Sequence, residues 1–186
     1  MRMGPSRIGH IGIAVHDLER SVRFYTELLG MRLTESFEYP EEVVGHGAGV
    51  TAGAFVRCDT THHCMSIFRI KGVAAGGDGG DTGALRLGLH HIAYEYSTPA
   101  ELLATYRRLR SAGVKIVNAR RGGPGNQPRF YAEDPDGNLL EFYWGIDHIG
   151  WDGRARAYPP IEEIDLEDFD FEAFLEERER AALEAR

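Results

Sequence analysis

Two imidazoles and a carboxylate, far apart along the chain, are the residues with the most chemistry to offer. His10 sits in the apolar stretch IGHIGIAV (8–15), His90 and His91 open HHIAYEY (90–96), and Glu141 lies inside NLLEFYW (138–144). Period-two alternation in 138–144 puts Leu140 and Phe142 on one face and Leu139, Glu141 and Tyr143 on the other, so Glu141 is embedded among large apolar side chains. A buried carboxylate without a partner costs several kcal/mol or takes up a proton, so a cation should stand beside it. Two neutral imidazoles and one carboxylate are the donor set of the facial triad that holds Fe(II) and keeps three coordination positions open. Gly12, Ala14 and Ala93 follow the histidines on the same faces and leave room for a ligand. For each residue alone a plainer reading stays open: a strand-end histidine in water, or a glutamate facing outward on an edge strand.

These residues need elements to position them. Asp17 caps a helix over 18–29 that Gly30 closes, with Leu18, Val22, Tyr25 and Leu29 as its apolar stripe. Strands follow near 31–38, 50–58 and 63–70. The segment KGVAAGGDGGDTG (71–83) has six glycines but neither the lysine nor the strand-to-helix context of a phosphate loop, and reads as a linker. The pattern then restarts: HHIAYEY matches GHIGIAV, Pro99 opens a second helix ending at Gly113, and strands near 114–118, 128–133 and 138–144 complete it. DPDGN (134–138) supplies the turn before the last strand. The expectation is an α+β fold of two tandem βαβββ modules, over 7–71 and 88–146, separated by a linker at 72–87. Together they form one domain over 1–150, a curled mixed sheet around one metal site. Residues 151–186 form a C-terminal extension with an acidic amphipathic helix.

Composition excludes several classes. The 186 residues are 42% hydrophobic and 27% charged, ordinary for a soluble globular chain. No apolar run approaches the ~20 residues of a membrane span, and the first 20 residues lack a signal-peptide core, so a cytoplasmic protein with no membrane partner is expected. The net charge of −8 resides in residues 161–186, which hold 11 acidic and 3 basic side chains, while residues 1–160 are balanced. Without a basic stripe to neutralise phosphates, nucleic acid is not an expected partner. Cys58 and Cys64 are the only cysteines, and their spacing fits neither a zinc knuckle nor a redox motif.

The stretches GHIGIAVHDLERSVRFYTELLGMRL, GLHHIAYE and FYAEDPDGNLLEFYWG resemble the vicinal oxygen chelate (glyoxalase–bleomycin resistance) superfamily. Within it the chain is most similar to the type I extradiol, catechol ring-cleaving dioxygenases. The resemblance covers about residues 7–146. It implies a non-haem Fe(II) centre, with Mn(II) as the alternative, held by His10, His91 and Glu141, with His90 as a neighbour. RCDTTHHCMSIF (57–68) resembles the segment that carries the family's acid–base histidine, which maps to His63, and the tyrosine ten residues before the glutamate maps to Tyr131. Small aromatic diols and dioxygen are then the implied substrates, in aromatic catabolism, and a homodimer or higher homo-oligomer the implied assembly. One position departs: before GPGN the family often carries a second-sphere histidine, and here Gly122 stands in its place. Two-domain members carry a further N-terminal half, so a compact single-domain form is expected.

Two rival readings share this fold. A glyoxalase-type lyase or epimerase using a divalent metal usually takes a fourth ligand, Glu or Gln, from the strand at 63–70, where this chain has neither, and in that reading His63 would itself be a ligand. A metal-free, antibiotic-sequestering binding protein has no use for His10, His91 and Glu141 together. In the extension, WDGRARAYPP (151–160) is placed to lie across a cavity mouth, where His148 or Trp151 would touch substrate, with a plain linker as the alternative. Phe171, Phe174 and Leu175 form a stripe on the tail helix that packs on the body or on a second subunit.

Overall fold

The computed structural model describes residues 8–38, 50–70, 89–147 and 157–184. The linker at 72–87, His148 and Trp151 lie outside the described residues. The chain divides into two compact units, one comprising residues 1–88 with the turn 134–138, the other residues 89–133 with 139–186.

The first unit runs β1 (Ile11–Val15), α1 (Leu18–Arg23), a π-helical turn (Phe24–Leu28), β2 (Arg32–Glu38), β3 (Val50–Arg57) and β4 (Met65–Ile70). Its sheet has the order β1-β4-β3-β2, with β1 parallel to β4 and the other pairs antiparallel. Asp17 caps α1 as the sequence predicts, its carboxylate accepting the Arg20 N–H at 2.8 Å. That bond holds the Asp17 carboxyl below its ordinary range. Ile13, Val15, Ala52, Ala54, Val56, Met65 and Ile67 form one buried face of the sheet, and Leu18, Phe24 and Tyr25 are buried with them. Val22 and Leu29 of the predicted stripe are only half-buried, because the helix widens at Phe24, where the Leu29 N–H bonds back five residues to the Phe24 carbonyl. Tyr25, wholly buried, donates its hydroxyl to Asp134 at 2.8 Å. The DPDGN turn is therefore more than a hairpin. Asp134 also accepts the Asp136 and Asn138 N–H groups, while Asp136 accepts from Arg20 and Ser21 of α1. Gly137 holds φ +81°, a conformation that side chains strain.

The second unit repeats the order: β5 (Ile92–Tyr96), α2 (Pro99–Ser111), β6 (Ile116–Arg121), β7 (Arg129–Glu133) and β8 (Leu139–Trp144). Its sheet is β5-β8-β7-β6-β9, the same arrangement as the first with one strand added. Thr98 and Glu101 form a capping box on α2, with Pro99 at the first helical position. Leu140, Phe142, Phe130 and Ala132 are fully buried, as are Leu102 and Leu109 of α2. Phe130 and Phe142 stack with centroids 4.7 Å apart, each contributing roughly 1.5–3 kcal/mol by leaving water. The fold is thus α+β with two separate mixed sheets, one per module, rather than a single sheet. Among the described residues no helix is long and apolar enough to cross a membrane.

The extension adds β9 (Glu162–Glu163), which pairs antiparallel with the edge strand β6, and α3 (Phe171–Glu184). Leu166 and Phe174 are buried, and Arg178 bonds the Gly145 carbonyl and, at 2.8 Å, Asp147. Leu175 is 39% exposed on the chain itself, which leaves the second-subunit alternative for it. Trp144, with Phe171 and Phe174 edge-on to its ring, takes the apolar contact instead.

Candidate metal centre

Register builds half of the candidate site in the second unit. Parallel pairing sets Ala93 of β5 against Glu141 of β8, and antiparallel pairing sets Tyr131 of β7 against the same residue. His91 immediately precedes β5, so its imidazole reaches the face on which Glu141 lies. His91 Nε2 is 3.0 Å from Glu141 Oε2, and Tyr131 donates its hydroxyl to that same oxygen at 2.9 Å. The rear oxygen, Oε1, faces other partners: Gln127 Nε2 at 3.4 Å and Arg129 Nε at 3.8 Å. Glu141 is buried at 6% exposure and Arg129 at 6%, so the cation that a buried carboxylate demands is Arg129. Arg129 is fixed in turn by donating Nη1 to the Gly122 and Gln127 carbonyls at 2.9 and 3.0 Å.

The phenol of Tyr131 is held above its ordinary range, by burial first and by the Glu141 charge second, with Arg129 opposing. It stays protonated and available as a donor. Tyr143, on the same face of β8, is raised by burial as well. His90 Nδ1 lies 2.7 Å from His91 Nδ1, so the first histidine of the doublet orients the second, and the two rings stand edge-on.

The first unit holds the other expected residues. Ile11 donates its N–H to the Cys64 carbonyl and pairs with Met65, which sets His10 beside His63. Their rings are 4.6 Å apart. His63 also lies 4.5 Å from Phe55, and its Nδ1 is 2.9 Å from that of His62. Desolvation pushes the His63 imidazole below its ordinary range, and the neighbouring His10 and His62 act in the same direction. At neutral pH it is the uncharged form that can accept a proton. Phe37, Phe55 and Phe68 cluster on this sheet with centroids 5.4–6.4 Å apart. Gly53 sits beneath Phe37 and Phe68, where a Cβ would come within 2.9 Å of both rings. Gly12 gains less than expected from its size, since a Cβ there would make only ordinary contact with Phe68.

Two imidazole or carboxylate donors about 2.1 Å from one ion and at about a right angle stand about 3.0 Å apart, the separation found for His91 and Glu141. Both atoms are donors that a divalent ion could take, and the same 3.0 Å is the length of an ordinary N–H···O hydrogen bond. Among the described residues no group of three His, Cys, Asp or Glu side chains converges. His10 belongs to the first unit and is joined there by His63. Sequence reasoning did not identify Gln127 and Arg129. The demand for a cation beside Glu141 was the signal for Arg129.

The Gly122 departure has a structural cause. The residue takes φ +78°, and a Cβ there would lie 2.2 Å from the Pro160 carbonyl oxygen. Pro159 also accepts the Gly123 N–H at 2.9 Å. The extension occupies the space a side chain at 122 would need.

Residues 7–142 match the Glyoxalase/Bleomycin resistance protein/Dioxygenase superfamily. Similar proteins include 3-methylcatechol 2,3-dioxygenase of Pseudomonas putida, 22% identical over 78% of this chain and 44% of that protein. Biphenyl-2,3-diol 1,2-dioxygenase 2 of Rhodococcus globerulus is 31% identical over 61% and 53%. A probable lactoylglutathione lyase of Vibrio parahaemolyticus is 29% identical over 75% and 91%. The chain spans about half the length of these two dioxygenases. A glyoxylase/bleomycin resistance protein/dioxygenase domain from Frankia sp. EAN1pec superposes with a TM-score of 0.58 at 22% identity, over 76% of this chain and 99% of that one.

Proposed function

Because the chain belongs to the glyoxalase/bleomycin resistance protein/dioxygenase superfamily, we propose that it is an extradiol dioxygenase cleaving a catechol-type ring with dioxygen. The observation that carries this reading is the convergence of His91 and Tyr131 on one oxygen of a buried glutamate. Two of the proposed metal ligands and a phenol donor would thereby stand side by side. His10, His91 and Glu141 are the proposed ligands, with iron(II) as the metal and manganese(II) as the alternative. Iron(II) held by them supplies a Lewis acid for two adjacent phenolic oxygens and a one-electron partner for dioxygen.

The chain's own residues do the rest. His63, neutral and with Nδ1 turned to His62, takes the phenolic proton of the substrate at Nε2 and later returns it. With substrate bound, Tyr131 turns its single hydroxyl hydrogen from Glu141 Oε2 to the substrate oxygen on which negative charge develops. Arg129 and Gln127 keep Glu141 oriented with Oε2 forward. The phenylalanines 37, 55 and 68 offer apolar rings suited to an aromatic substrate. His148 is a further proposed substrate contact, and a homodimer or larger homo-oligomer in the cytoplasm the proposed working form.

Anaerobic loading with Fe(II), then addition of a catechol and air, tests this. A new visible absorbance from the ring-opened product is expected, and its absence with metal bound overturns the reading. The lyase alternative gains from length, since the chain spans 91% of the Vibrio relative. It loses from β4, whose sequence MSIFRI offers neither carboxylate nor amide. Formation of lactoylglutathione without catechol cleavage would decide for it.

A further inference from the structure

Cys58 and Cys64 lie at either end of the segment between β3 and β4, and their sulfurs are 3.7 Å apart. Strand alternation alone would not join them. The pairing of Val56 with Met65 and the Cys64 N–H bond to Val56 O (3.0 Å) set Cys64 opposite Arg57. Cys58 is one residue further on, and the chain bends there, which brings its side chain back over Cys64.

The turn between them is built. Asp59 accepts the Thr61 N–H at 2.8 Å and its hydroxyl at 2.5 Å, Arg57 donates to the Asp59 carbonyl at 2.7 Å, and Thr34 donates to the His62 carbonyl at 2.6 Å. The two thiols are thus held together by backbone geometry. A bonded pair of sulfurs is about 2.05 Å apart, so these two must approach by less than about 2 Å to bond. Cys58 is exposed and Cys64 half-buried, so an oxidant has access to the pair.

We propose that Cys58 and Cys64 are an oxidation site, closing reversibly to an intramolecular disulfide that fixes the turn carrying His63. With a hydroperoxide as oxidant, the Cys64 sulfur attacks a peroxide oxygen and the O–O bond breaks. Cys64 becomes a sulfenic acid and the first water leaves. The Cys58 sulfur then displaces that hydroxyl: the S–S bond forms, the S–O bond breaks and the second water leaves. Two thiols have lost two protons and two electrons, and the peroxide has gained them. A dithiol reductant reverses the change. Cys64 suits the attacking role, because the hydrogen bond it shares with Cys58 draws its thiol below the ordinary range.

The test treats the full chain with stoichiometric hydrogen peroxide at pH 7, followed by mass spectrometry and a non-reducing peptide map. The expected product is a monomeric chain about 2 mass units lighter, with the peptides holding Cys58 and Cys64 linked and both thiols restored by dithiothreitol. In Cys58→Ser, oxidation stops at a Cys64 sulfenic acid that dimedone traps. In Cys64→Ser, neither product forms. The imidazole signals of His63 in NMR shift on oxidation of the wild type and stay fixed on oxidation of Cys58→Ser. Full alkylation of both cysteines after peroxide treatment, or linkage only between chains, overturns the site. A complete internal disulfide with unmoved His63 signals overturns the coupling to the turn. No metal and no substrate enter these measurements, so their outcome is independent of the dioxygenase reading.

Discussion

Arg129→Met, measured on the metal-free protein, probes how Glu141 is kept as a buried carboxylate. Arg129 and Glu141 side chains are 8% and 7% exposed, and Nε lies 3.8 Å from Oε1. At an effective dielectric of about 20, unit charges at that distance attract by about 4 kcal/mol. Methionine fills much of the same volume, but it leaves the carboxylate with only Tyr131, His91 and Gln127. It also removes the two Nη1 bonds to the Gly122 and Gln127 carbonyls, each worth about 1 kcal/mol net. Against this stands the desolvation of the guanidinium, which the variant no longer incurs. Breaking one side of a buried pair costs about 3–5 kcal/mol, and a loss in that range is expected here. With a urea slope near 2 kcal/mol/M this moves the unfolding midpoint down by about 1.5–2.5 M. The assay is urea unfolding in chelator, as a cycle with Glu141→Gln. Replacing both charges removes the orphan, so the double variant should recover at least about 2 kcal/mol relative to the sum of the singles. A loss under about 1 kcal/mol for Arg129→Met, or strictly additive singles, refutes the claim that this arginine neutralises the glutamate.

Other outcomes follow from the same geometry. His63→Phe should keep the metal affinity of the wild type while turnover of a catechol falls by at least about 100-fold, within the range that a proton-transfer residue contributes; activity within threefold would end its acid–base role. Ending the chain at Tyr158 removes the buried Leu166 and Phe174 and should cost at least about 4 kcal/mol in urea unfolding; an unchanged midpoint would show that the extension does not support the second unit. Gly122→His should destabilise the full chain by at least about 2 kcal/mol, from the positive φ and the collision with Pro160 O. In the chain ending at Tyr158 only the backbone component, about 1 kcal/mol, should remain, and equal penalties in the two backgrounds would dismiss the collision.

Much of this arrangement is legible in the sequence, because strand alternation and caps are local. Alternation set Glu141 on one face with Leu139 and Tyr143, and Asp17, Gly30, Pro99 and Gly113 marked the ends of both helices. Other features depend on partners distant in the chain. The demand for a cation beside Glu141 could be stated from the sequence, but only pairing register selects Arg129, twelve residues earlier on the neighbouring strand. The π-helical turn at Phe24–Leu28 has no residue signature. β9 is only two residues long, too short for periodicity, and exists because Arg120 and Arg121 of the edge strand find Glu163 and Glu162 opposite. Spacing on α3 set Phe171 and Phe174 on one stripe, but their partner Trp144 lies in another element and is not legible from that spacing. The Cys58–Cys64 spacing fits no redox motif, since it is the bend at Cys58 that joins the sulfurs.

The central claim is that His10, His91 and Glu141 share one divalent ion, and metal titration of single-residue variants addresses it most directly. Chelator-stripped protein titrated anaerobically with Fe(II) in a calorimeter should bind one ion per chain. His10→Ala, His91→Ala and Glu141→Ala should each weaken binding by at least about 100-fold, while His63→Phe and Tyr131→Phe bind as the wild type does. Undiminished binding by His10→Ala, or a wild-type chain that takes up no ion at all, would contradict the account.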